Sequence, residues 1–247
     1  MYYRVRQRQE AGLNRGRGRS SSVAFSWKNT VMFAPNGTPQ YFSNNTMTAT
    51  IMNDPSLAST PNVTSRRYQF KTPSSLPITA QYLVSSGALA TAGGVNIVYA
   101  NTGTLQIVYN TATGRYVVSL VNMQLDTLFN LALTFDGATL RVYNYGILVG
   151  LVSTPIAITG AAGSTFAIGA PVASLGTPEF NWRGKIYTVA CWNGLKTPYE
   201  MDDISNNQPV YGYIYNENAG ATTLTDAGTG GKNLTATGGA SVVAATY

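Results

Sequence analysis

An all-β sandwich is the fold class this sequence predicts, on three observations. Charged residues make up only 11% of the 247 positions, against roughly a quarter in ordinary globular chains. Gly, Ser, Thr, Asn and Ala take their place, with 16 tyrosines. A chain poor in Lys and Glu and rich in Thr, Tyr and Val disfavours helices and suits pleated, half-buried surfaces. Finally, short apolar-alternating runs recur about every 8–12 residues between Gly, Pro and Asn breaks, the rhythm of a sandwich or barrel.

The elements follow in order. Residues 1–22 (MYYRVRQRQEAGLNRGRGRSSS) have no core-forming pattern and read as an extended arm. Residues 23–209 form the sandwich, and 210–247 a strand-rich tail that completes it or pairs with a neighbour. Ala24–Phe33 reads as a strand, 35–38 as a turn, and 43–65 as a polar loop. Arg67–Thr72 and Thr79–Ser85 are the next strands. Thr104–Asn110 and Arg115–Asn122 make a hairpin in which Leu105, Ile107 and Tyr109 share one face. Phe129–Phe135 and Thr139–Asn144 flank Asp136 and Gly137, a strong hairpin turn signal. Ile147–Ser153, Thr165–Gly169 and Gly184–Trp192 complete the series. Only Thr197–Ser205 (TPYEMDDIS) reads as helical, with Pro198 suited to a first turn and acids near the start.

The net charge of +6 belongs to the arm. Arg4, Arg6, Arg8, Arg15, Arg17 and Arg19 stand there against Glu10 alone, leaving the rest of the chain at +1. An extended backbone sets Arg4, Arg6 and Arg8 on one side. Such an arm can neutralise phosphates without reading sequence, or reach a neighbouring subunit. The first 22 residues lack the apolar core of a signal peptide, and no run is long enough to span a membrane as a helix.

Chemistry has few candidates. Histidine is absent and Cys191 is the only cysteine, which excludes Cys–His metal clusters and an internal disulfide. Cys191 lies in an apolar stretch and reads as a buried, inert thiol. The ten acids show no alternation that would set paired carboxylates on one strand face, as glycan-cleaving enzymes need, and the parts of a hydrolytic triad are missing. Asp202 and Asp203 read as helix-end charges. No catalytic residue, cofactor or metal ligand is nominated, and the chain is expected not to be an enzyme. Trp27, Trp182 and Trp192 read as core.

At Leu131–Gly150 the text LALTFDGATLRVYNYGILVG resembles the central hairpin of the concanavalin A-like (laminin-G-like, pentraxin-like) jelly rolls. Their pattern is an apolar strand, Thr-Phe/Tyr-Asp-Gly, a strand ending in Tyr, then Asn-Gly and another apolar strand. FAIG at Phe166–Gly169 and FNWRGKI at Phe180–Ile186 are similar to later strands of that family. Val189–Leu195 is similar to its closing strand, and Thr197–Ile204 to the short segment that follows. Tyr215–Asp226 with Gly230–Thr235 resembles a stretch that often borders these domains. Two departures stand out: Thr127–Asn130 occupies the place of a usual Trp-His, and Tyr145 displaces the Asn of the Asn-Gly turn. No calcium or sugar site is carried over. The resemblance implies a jelly roll of two antiparallel sheets, in a setting that includes viral and phage structural proteins.

The leading expectation is a virion structural protein: a capsid, minor capsid or surface component made in the host cytosol. It rests on the near-neutral β body, the basic arm, the missing leader and the missing catalytic set. Its partners would be other copies of itself, other capsid proteins, or nucleic acid through the arm. The alternative is a glycan-binding, lectin-like module, including a phage tail or fibre receptor-binding component.

Overall fold

Hairpins with one apolar face bury it by packing sheet on sheet, and the computed structural model of the chain does this. It describes residues 29–32, 41–44, 64–86, 95–110, 115–153, 166–171, 180–214, 217–237 and 240–244. The strands are β1 (Asn29–Met32), β2 (Tyr41–Asn44), β3 (Thr64–Lys71), β4 (Gln81–Ser86), β5 (Val95–Tyr99), β6 (Leu105–Asn110), β7 (Arg115–Leu120) and β8 (Leu128–Phe135). They continue with β9 (Thr139–Asn144), β10 (Ile147–Ser153), β11 (Phe166–Ile168), β12 (Lys185–Asn193), β13 (Tyr211–Tyr213), β14 (Thr223–Leu224), β15 (Leu234–Thr237) and β16 (Ser241–Ala244). One helix, α1 (Pro198–Asp202), follows β12.

Among the described residues two eight-stranded sheets result, with every strand-to-strand pairing antiparallel. The first runs β10-β9-β8-β3-β12-β1-β16, with β13 beside β12; the second runs β14-β15-β2-β11-β4-β5-β6-β7. Tyr68, Phe70, Leu131, Leu133, Phe135, Leu140, Val142 and Ile186 of the first sheet meet Val95, Ile97, Tyr99, Leu105, Ile107, Val118, Phe166 and Ile168 of the second in one core. Alternation along β5–β7 and β9 delivers these residues inward.

The strands expected from the sequence are present, with shifted ends. The missed ones are β2 and β5, the text VNIVY of β5 being fully buried. The expected strand from Ala24 is described only over β1, and the 43–65 loop is flanked by β2 and β3, which take Ser43, Asn44, Thr64 and Ser65. Trp182 and Trp192 are core residues, and Cys191 is buried and free. Burial pushes the Cys191 thiol up. Trp27, the 35–38 turn and the six arm arginines lie outside the described residues.

The first sheet is covered on its outer side. The Thr197 hydroxyl accepts from the Glu200 N–H at 3.2 Å and the Glu200 carboxylate accepts from the Thr197 N–H at 2.8 Å, a reciprocal cap that starts α1 behind Pro198. Met201 and Ile204 then pack with Ala132, Ala190 and Trp192 on the sheet's back, and the Trp192 indole N–H donates to the Asn207 carbonyl at 2.6 Å. This second layer explains why β3 is buried on both faces despite its polar text TSRRYQFK.

Candidate ligand-binding face

The second sheet turns a different set of side chains outward. In β5, Val95, Ile97 and Tyr99 enter the core, so Asn96 and Val98 face out. In β7, Tyr116, Val118 and Leu120 pack inward, so Arg115, Val117 and Ser119 face out. Register then lines up two rows across the sheet. One runs Ala167–Ser85–Asn96–Val108–Val117; the next runs Tyr82–Val98–Gln106–Ser119. The centre is closed, with Ala167, Ser85, Asn96, Val98 and Val108 all buried, while Arg115, Val117 and Ser119 are exposed. The face therefore opens toward β7.

Two buried amides on this side lack full partners. The Ser85 hydroxyl donates to Asn96 Oδ1 at 2.6 Å, yet Asn96 Nδ2 has no acceptor. Asn181 forms a parallel bridge with Tyr82 and leaves both Oδ1 and Nδ2 without partners. Its neighbour Phe180 meets the Tyr82 ring edge-on at 6.4 Å. Trp182 anchors this segment: its backbone N–H donates to the Gly169 carbonyl at 2.8 Å, and its ring packs against Phe70 and Tyr99. Buried polar groups are nearly always paired, so an orphaned one calls for a further partner such as water, an ion or a ligand.

The described carboxylates have structural work. Asp136 accepts from the Ala138 and Thr139 N–H groups and from Arg141, and Gly137 beside it takes a φ of 93°. Asp226 accepts from the N–H groups of Gly212, Gly228 and Lys232 at 2.8–2.9 Å. Asp126 pairs with Lys71. Asp202 reaches Arg67 and Asn130, whereas Asp203 caps the Asn206 and Ser205 side chains. The two adjacent acids at the end of α1 thus do different jobs. Among the described residues no three His, Cys, Asp or Glu side chains gather as metal ligands. A separate cleft of about 300 Å³ is lined by Ile214, Glu217, Thr225 and Ala227, and Glu217 Oε1 there accepts from the Thr225 N–H at 2.6 Å.

Tyr145, at φ 48°, takes the left-handed position beside Gly146, which is at 77°. Asn144 stays in β9, its Oδ1 accepting from the Asn130 N–H at 3.2 Å.

Residues 70–202 match the family model of the concanavalin A-like lectin/glucanases superfamily, laminin-G type. The chain belongs to this superfamily. Solved structures share its fold. A putative carbohydrate-binding protein from Bacteroides ovatus superposes with a TM-score of 0.58 at 14% identity, over 89% of this chain and 60% of that one. The chain thus spans three-fifths of that protein's length. The CBM40 domain of the Ruminococcus gnavus IT-sialidase, bound to α2,3-sialyllactose, gives a TM-score of 0.50 at 15% identity, over 72% of this chain and 96% of that one. A heptameric SAP-like pentraxin from Limulus polyphemus gives 0.49 at 14% identity, over 74% of this chain and 84% of that one. No curated protein matches the sequence. At these identities the likenesses describe the superfamily fold.

The nominated arm residues Arg4, Arg6, Arg8, Arg15, Arg17 and Arg19 have no described placement, so the structure brings none of them to this face. Sequence reasoning passed over Asn96, Asn181 and Arg115. Asn96 carried a usable signal, since a polar residue within an apolar run faces the opposite side from its neighbours.

Proposed function

We propose that this chain is a glycan-binding module, and that its ligand engages the outer face of the sheet carrying β4–β7. The observation that carries this reading is the pair of buried amides, Asn96 and Asn181, whose hydrogen-bonding groups lack partners on one side of the sheet. Amides both donate and accept, which suits sugar hydroxyls. The half-buried Phe180 ring, packed on Tyr82, supplies aromatic area beside them. The carbohydrate-binding neighbours of the superfamily support the same reading. The engagement of the described acids in turns, caps and ion pairs favours binding without hydrolysis. The test is a glycan array with the full chain, followed by calorimetry on Asn96→Leu. We expect a defined set of glycans bound and about tenfold weaker binding in the variant. An array without a hit would refute the reading.

One observation favours self-association, the expected virion role, as a second reading. Strand β10 is an edge strand, its text ILVGLVS carries no charge, and Ile147, Leu148, Val149 and Leu151 are exposed. A two-fold axis at Gly150 would set Val149 against Leu151 without opposing like charges. Light scattering on the full chain and on Leu151→Glu tests it; a monomer at every concentration would refute it.

A further inference from the structure

The inference concerns which glycans the face takes, and it rests on the glycan-binding reading above. Arg115 begins β7, faces outward and is exposed. It makes no ion pair or hydrogen bond among the described residues. It nevertheless acts across the face: burial pushes the Tyr82 hydroxyl up, and the Arg115 charge pulls it back. The two side chains come from β4 and β7, with Val98, Asn96 and Val108 on the strands between them.

The distribution of acids sharpens this. Arg67, Lys71 and Arg141 of the first sheet and its flank are each neutralised, by Asp202, Asp126 and Asp136. The two outward rows of the second sheet hold no acid at all among the described residues: Ala167, Ser85, Asn96, Val108 and Val117, then Tyr82, Val98, Gln106 and Ser119. Among the described residues, an unpaired guanidinium thus stands at the open end of an acid-free, amide-bearing surface. A guanidinium presents a planar fork of donors that matches a carboxylate, while the neighbouring amides suit hydroxyls.

We infer that this face selects acidic glycans, with the exposed Arg115 holding the sugar carboxylate. Sialyllactose and lactose are the probes, since they differ by one carboxylate-bearing sugar. Calorimetry should find sialyllactose bound about tenfold more tightly than lactose, with the preference shrinking as salt rises. In Arg115→Gln the ratio should fall to about one, and Arg115→Lys should restore part of it. Equal affinity of the unaltered chain for both sugars would overturn the inference and leave glycan binding standing. A preference that persists in Arg115→Gln would overturn the role of Arg115. Binding of neither probe, together with an empty array, would overturn this inference and the reading it rests on.

Discussion

Arg67 and Asp202 meet 2.8 Å apart on the back of the first sheet, the guanidinium almost wholly buried and the carboxylate half exposed. Arg67 Nε also donates to Asn130 Oδ1 at 3.1 Å, and Asn130 Nδ2 donates to the same Asp202 oxygen at 3.2 Å. Burial pulls the Arg67 pKa down and Asp202 pushes it back. Removing the exposed partner therefore harms the buried one. Asp202→Ala should cost about 1–3 kcal/mol in urea unfolding, more than an ordinary surface carboxylate. Arg67→Met with Asp202→Ala should recover part of that loss, because no charge then remains buried.

Asp136 gives a pH signature. The hydrogen bond from Arg141, aided by the Ala138 and Thr139 N–H groups, holds its carboxyl below the usual carboxylate range. A carboxyl whose folded pKa is depressed stabilises the fold above its unfolded value, about 3.9, and loses that contribution as pH falls through the folded value. Asp136→Asn keeps an oxygen for the two N–H groups but loses the charge. Thermal melts should show the variant less stable at neutral pH, with the gap closing below about pH 4. A constant gap down to pH 2 would contradict the assignment.

Asp226 fastens the segment between β13 and β15 by accepting from Gly212, Gly228 and Lys232. Asp226→Ala leaves three donors to find water, and should cost about 2 kcal/mol or more. Amide hydrogen exchange should accelerate at those three positions ahead of the core strands. Asp226→Asn should fall between the two.

Gly184, just before β12, makes a tight approach to the backbone of β3. A Cβ there would stand 2.0 Å from the Lys71 carbonyl oxygen and 2.7 Å from Trp182 Nε1. The obstacle is main chain, which cannot rotate away, so Gly184→Ala should cost about 3 kcal/mol or more. Gly220→Ala is the control for substitution at a glycine: nothing lies near its Cβ, and only its φ of 88° resists the change. Chemical unfolding should show a much smaller loss there, about 1 kcal/mol.

Local chemistry made some elements readable from sequence. Asp136 and Gly137 define the β8–β9 turn by bonds within four residues, and Thr197, Pro198 and Glu200 carry the start of α1. Burial on both faces was not readable. Ser65, Arg67 and Gln69 look solvent-bound in the text, but the layer formed by α1 and Ile204 arrives from more than 120 residues away. The candidate face was hidden for the same reason. Ser85, Asn96, Val108 and Val117 become neighbours only through the register of four strands. The arginines most conspicuous in the sequence lie in the arm, outside the described residues.

Strand β1 pairs with β16, and Asn29 stands opposite Ala244. Any polypeptide spliced before Asn29 and after Ala244 therefore departs from one spot on the rim. The domain has the geometry of a plug-in cassette: it could be inserted at one point in a host chain, or have its ends joined by a short linker and be reopened elsewhere. Because that spot is on the first sheet, a tether there leaves the outer surface of the second free to point away from whatever carries it.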